Sequence, residues 1–234
     1  RLLMRIADPD QRLAEQRLVL REIAVLGEKA LAAGPELTPG EAQLAVILGL
    51  AESDPAGALA LLRKWEVTGA PGDEAGAAIA QALAAEAPEQ ALEVVSGLGG
   101  ARWRDRTLWR IAEQRPPEEA VDIALRVSDP VTRAAILTSA AVRMAGTDPE
   151  RALEVVRTVE VAGDSAVAEV AVALAAGDAA RALEVARGLP DRAREWALER
   201  IAVEAAGTDP GLAEQVLSEA GARPETARAV LAGM

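Results

Sequence analysis

The 234-residue chain carries 25 basic and 37 acidic side chains, a formal net charge of −12 at pH 7, and half of its residues are hydrophobic. It holds 54 alanines and only two lysines, and it lacks Phe, Tyr, His, Cys and Asn altogether. These gaps exclude disulfides, thiolate nucleophiles, cysteine-based zinc or iron–sulfur sites, and histidine as a general base or metal ligand. What remains is a folded chain whose core must be built of Ala, Leu, Val and Ile, a composition that favours helices packed closely through small side chains.

In chain order, DPDQRLAEQRLVLREIAVLGEKALAAG (8–34) reads as one long or broken helix and TPGEAQLAVILGLAESD (38–54) as another. Together, residues 1–53 have the loose fit of an N-terminal capping unit. From 54 onward one phrase recurs: a Pro or Gly turn, a short acidic lead-in, then Ala-Leu-x-x-x. It reads DPAGALALLRKW (54–65), APEQALEVVSGL (87–98), PPEEAVDIALRV (116–127), DPERALEVVRTV (148–159), GDAARALEVARGL (177–189) and DPGLAEQVLSEA (209–220). The anchoring alanines Ala58, Ala91, Ala120, Ala152, Ala182 and Ala213 are 33, 29, 32, 30 and 31 residues apart.

The phrase is a helix start. Asp supplies an N-cap oxygen, Pro at the first helical position has φ already set, and Glu in the first turn complements the helix dipole. In DPERALEVVRTV, Ala152, Val155, Val156 and Val159 fall at i, i+3, i+4 and i+7, one apolar stripe. Between anchors lies a second amphipathic segment: AGAAIAQALAA (75–85), TLWRIAEQ (107–114), AAILTSAAVRMA (134–145) and ALERIAVE (197–204). TLWRIAEQ and ALERIAVE align directly, Leu108, Ile111 and Ala112 answering to Leu198, Ile201 and Ala202, which puts Trp196 in the place of Arg106. Each unit of about 31 residues is therefore a helix–turn–helix that cannot bury its stripes alone and must stack on its neighbours. About fourteen helices are expected, and no strands, because no alternating β-branched or aromatic run stands between turn residues.

AAGDAARALEVARGLPD (175–191) resembles the back half of a tetratricopeptide repeat (TPR), and the likeness extends over roughly 51–220. The resemblance implies an all-α, right-handed α-solenoid of TPR-like or HEAT-like hairpins in one domain, 1–234, with repeats over 54–220 and a C-terminal capping helix at 221–234. It also implies a ligand-holding scaffold and no reaction.

The candidate site is RWRDRTLWR (102–110), which holds four arginines and two of the four tryptophans. On a helix Arg102, Arg106 and Arg110 form one row at i, i+4 and i+8, flanked by Trp103 and Trp109. Arg and Trp are favoured interface anchors, so these five residues form a candidate binding strip for an anion or peptide. Against this, Glu89 and Glu93 before the strip and Glu113 after it are placed to neutralise the arginines inside the scaffold. GLGGAR (97–102) could cradle an anion at a helix start, but reads more simply as an inter-repeat turn.

No cofactor is expected. The chain has no P-loop, dinucleotide fingerprint or nucleophile elbow. Residues 51–100 hold two basic and eight acidic side chains, so this half could attract a basic partner or another copy's arginine strip. Nucleic acid fits poorly, since its binders present a broad basic surface and the calculated pI here is about 4.7. No apolar run reaches the ~20 residues that span a bilayer. A cytoplasmic location is the default expectation, and an opening on Arg1 leaves room for a targeting segment ahead of it. Three functional readings stay open: a non-catalytic protein- or peptide-binding scaffold, a small anion-binding or acid–base enzyme domain, and a designed or purely structural repeat chain.

Overall fold

The computed structural model describes residues 39–161 and 163–221. Among them stand twelve α-helices and no strand: α1 (Pro39–Ala51), α2 (Pro55–Lys64), α3 (Gly69–Leu83), α4 (Pro88–Ser96), α5 (Ala101–Glu113), α6 (Pro117–Ala124), α7 (Pro130–Met144), α8 (Pro149–Arg157), α9 (Gly163–Leu174), α10 (Ala179–Arg187), α11 (Asp191–Ala206) and α12 (Pro210–Glu219). The expectation of about fourteen is thus corrected to twelve among the described residues. The helix read within 8–34 and the cap at 221–234, Gly221 excepted, lie outside them.

The helices fall into two compact units, α1–α5 up to Gln114 and α6–α12 from Arg115. In the first, α1 packs on α3 and α3 on α5, with α2 wedged between α1 and α3 and α4 between α3 and α5. In the second, α7, α9 and α11 form a similar row. Here α8 is wedged between α7 and α9, and α10 between α9 and α11, while α6 rests on α7 and α12 on α11. Within each unit, odd-numbered helices therefore make one layer and even-numbered helices the other.

The recurring phrase starts the even-numbered helices. Each anchoring alanine is the fourth helical residue, and all six are completely buried. In all six the anchor's N–H donates to the N-cap carbonyl at 2.9–3.0 Å, from Ala58 to Asp54 through to Ala213 to Asp209. A larger side chain would have to push the neighbouring helix away, since interiors are close-packed. In α8 the buried stripe is wider than its periodicity predicts, because Leu153 joins Ala152, Val155 and Val156.

A second repeated device joins five of the six odd helices that precede an even one to it; the α5–α6 junction, capped by Pro116, has no N–H for it. The N–H of the N-cap residue donates to a carbonyl four residues back: Asp54 to Leu50, Ala87 to Leu83, Asp148 to Met144, Asp178 to Leu174 and Asp209 to Ala205, at 2.7–2.8 Å. At the four aspartate caps, but not at Ala87, the carboxylate then accepts the N–H three residues on, from Gly57, Arg151, Arg181 and Leu212. One residue thus satisfies the end of one helix and the start of the next.

The odd-numbered helices bury the aligned positions. Thr107, Leu108, Ile111 and Ala112 of α5 and Ala197, Leu198, Ile201 and Ala202 of α11 are all interior. Each buried Leu or Ile contributes about 1.5–3 kcal/mol, and alanine less, so stability here depends on close approach repeated many times. Gly76 illustrates it: a Cβ there would lie 2.6 Å from Leu98 Cδ2.

Candidate functional site

The strip lies wholly on α5. Its first turn is tied by the Arg104 N–H to the Gly100 carbonyl, 3.0 Å. Thr107 is buried and its hydroxyl donates back to the Trp103 carbonyl at 2.7 Å, so this interior position needs no further partner. With Leu108, Ile111 and Ala112 turned to the core, Arg102, Arg106, Trp109 and Arg110 are left on the exposed face, and Trp103 is half-buried at its edge.

The four arginines divide into two kinds. Arg104 Nη1 donates to the Leu98 carbonyl at 2.6 Å and the Gly99 carbonyl at 3.2 Å, closing the turn before α5. Arg133 does the same in the second unit, holding the Val127 carbonyl at 2.7 Å from Nη2. Arg110 Nη1 donates to Gln81 Oε1 on α3, 2.7 Å. Arg102 and Arg106 have no hydrogen-bond or ion-pair partner among the described residues. The expected neutralisation by Glu89, Glu93 and Glu113 does not occur. Glu93 instead meets Arg63 of α2 at 3.8 Å, both on the even-numbered layer, whereas Arg102 and Arg106 belong to the odd-numbered one.

Trp103, Arg106 and Arg110 line one cleft of about 230 Å³ with Leu48, Glu74 and Gln81. Arg102 and Trp109 are not in its wall, and Trp109 is 40% exposed. The cleft offers an apolar wall, an indole and two guanidinium groups against a single carboxylate, which suits a ligand carrying negative charge.

The glycine turn GLGGAR does hold an anion, and the anion is the protein's own. The buried carboxylate of Asp73 on α3 accepts the Gly99 N–H at 2.7 Å and the Gly100 N–H at 2.9 Å. A Cβ on Gly100 would stand 3.0 Å from Asp73 Oδ2. Neither Asp73 nor Gln81 is visible as a partner from spacing alone, because each acts across a repeat. Among the described residues no group of three or more acidic side chains gathers as a metal site would require. No helix among them is long and apolar enough to cross a membrane.

Comparison of the chain with protein families, with curated proteins and with solved structures finds no match. Any assignment of function rests on the geometry above.

Proposed function

We propose that the protein is a non-catalytic scaffold, a right-handed α-solenoid of TPR-like or HEAT-like hairpins, that binds a protein or peptide partner along its odd-numbered layer. In the first unit the contacts are Arg102, Trp103, Arg106, Trp109 and Arg110. The single observation that carries the reading is that Arg102 and Arg106 have no partner among the described residues, while on the same helix Arg104 closes the turn before α5 and Arg110 commits only its Nη1 to Gln81. Arginines held beside an indole on a preformed surface are the ordinary anchors of interfaces. A chain without His, Cys or Tyr leaves acid–base work to carboxylates, arginines and two lysines, which favours a binding role over a catalytic one.

The test is retention on an array of acidic, neutral and basic nonapeptides, comparing the native chain with Arg102→Glu/Arg106→Glu. Acidic peptides are expected to be retained by the native chain and released by the double variant. Retention that ignores the substitutions, or no retention of any peptide, refutes the reading.

A further inference from the structure

The second unit presents a groove of opposite chemistry. One cleft of about 540 Å³, between α9 and α11, is walled by Ala168, Pro190 and Trp196, with Asp164 and Glu169 on its α9 side and Arg192 at its α11 side. A neighbouring cleft of about 340 Å³, between α7 and α9, has Val131, Ala134, Ala135 and Val161 among its lining. The two share Ser165 and Glu169, so Glu169 lines both clefts. Trp196 is 44% exposed and Val131 61%. Asp164 and Glu169 have no hydrogen-bond or ion-pair partner among the described residues, and Arg192 makes no ion pair with either.

We propose that this groove binds an extended apolar segment of a partner protein through one Arg or Lys side chain, which rests on Trp196 and is met by Glu169 and Asp164. The charge balance selects the sign: two carboxylates, Asp164 and Glu169, stand against one arginine, Arg192, so the lining is net negative. An indole face beside carboxylates is favourable for a cation and unfavourable for an anion. The valines and alanines give the flanking apolar residues a place to lie, and volumes of this size are those of ligand sites. Helix axes packed about 9–10 Å apart put roughly 20 Å between α7 and α11, the reach of about six extended residues. The inference stands apart from the Arg102–Arg106 strip, which lies in the other unit, and either can fail without the other.

The probe is a capped pentapeptide, acetyl-Leu-Arg-Ala-Val-Leu-amide, titrated into the ¹⁵N-labelled full chain while the Trp196 indole N–H is followed by NMR. Trp196→Phe assigns that resonance. The expected result is a saturable shift with a Kd in the range of about 0.1–3 mM. It should weaken at least about threefold in Glu169→Gln, as for an exposed ion pair, and be unchanged in Arg102→Glu/Arg106→Glu. The same peptide with Glu in place of Arg should leave the resonance still. No shift up to about 10 mM peptide, well above the affinity a side-chain-sized site supplies, overturns the proposal. So does an equal shift from the Glu peptide, or indifference to Glu169→Gln. Concentration-dependent self-association abolished equally by Glu169→Gln and by Arg102→Glu/Arg106→Glu also overturns it, because the occupant is then a second copy.

Discussion

Arg181 of α10 reaches across a whole repeat to Glu150 of α8, Nη2 to Oε1 at 2.8 Å over 31 residues of sequence. Its Nη1 is held by Glu184 of its own helix at 2.6 Å. Arg187 repeats the move one step on, meeting Glu219 of α12 with two parallel hydrogen bonds of 2.8 and 2.7 Å. Arg63 and Glu93 give a looser version between α2 and α4. Successive even-numbered helices are separated by odd ones, so these long side chains tie them to each other directly. A double-mutant cycle on Glu150→Ala and Arg181→Ala in thermal unfolding should show favourable coupling at low salt that fades near 1 M NaCl, since exposed pairs are screened. Strict additivity at low salt would mean that the pair sets register without stabilising the fold.

Ala87 is an N-cap without a capping side chain. Its backbone, φ −138 and ψ 64, matches the aspartate caps Asp54, Asp148, Asp178 and Asp209, whose φ lies between −141 and −145 and ψ between 72 and 86. Ala87→Asp puts an acceptor where the third N–H of α4 waits, and should stabilise the chain by about 0.5–2 kcal/mol. Asp148→Ala should cost a similar amount. Urea unfolding of both variants checks the pair; a neutral Ala87→Asp would show that the turn before α4 already satisfies that amide.

Asp73 ties α3 to the turn before α5 through two backbone N–H groups. Asp73→Ala strands two turn amides that its carboxylate holds at 2.7 and 2.9 Å, and should cost about 1.5–3 kcal/mol, the range for hydrogen bonds to a charged group. Asp73→Asn keeps one acceptor but turns an amide N–H toward a donor, so it should recover only part of the loss. Hydrogen exchange at Gly99 and Gly100 should rise in the order native, Asn, Ala. Unchanged exchange in Asp73→Ala would show the turn held by Arg104 instead.

The architecture is legible in the sequence because a 31-residue period writes the same local physics six times, each anchor at the same helical position and each buried. The odd-numbered helices are read less well at their starts: α3 begins at Gly69 and α7 at Pro130, ahead of the apolar runs at 75 and 134, because polar and glycine-rich first turns carry no stripe. The strip is legible as residues but not as roles. Nothing in RWRDRTLWR distinguishes Arg104 and Arg110 from Arg102 and Arg106, since their partners are main-chain carbonyls in the turn before α5 and a glutamine 29 residues away. The groove around Trp196 is hidden for a similar reason, because its carboxylates come from α9, a repeat earlier.

Acid should loosen the second unit by an identifiable route. The Glu219 carboxyl is held below its ordinary value of 4.5 by hydrogen bonding to Arg187, reinforced by the charges of Arg187 and Arg194 against some desolvation. Asp129, which caps α7, is held below 3.8 by the hydroxyl and N–H of Thr132. Both folded-state pKa values lie below the unfolded ones, so each contribution is complete above roughly pH 5 and is lost as pH falls through the folded values. For the partly exposed Glu219 it amounts to well under about 1 kcal/mol after screening. Glu219→Gln should therefore be less stable than the native chain at pH 7 and nearly equal to it at pH 3. A gap that persists at pH 3 would mean that Glu219 acts through packing.

The two tryptophans of the strip should report different surroundings although they sit six residues apart on one helix. Trp103 is half-buried in the cleft between α3 and α5, while Trp109 is 40% exposed and outside it. With Trp65 and Trp196 replaced by Phe, a further Trp109→Phe change leaves Trp103 alone, and Trp103→Phe leaves Trp109. Trp103 should emit at the shorter wavelength and resist acrylamide, and Trp109 should emit further to the red and be quenched readily. An acidic peptide that enters the cleft should shift the first signal and leave the second largely unchanged. If both respond alike, the peptide covers the whole outer face of α5, and Arg102 rather than the cleft is where binding should next be sought.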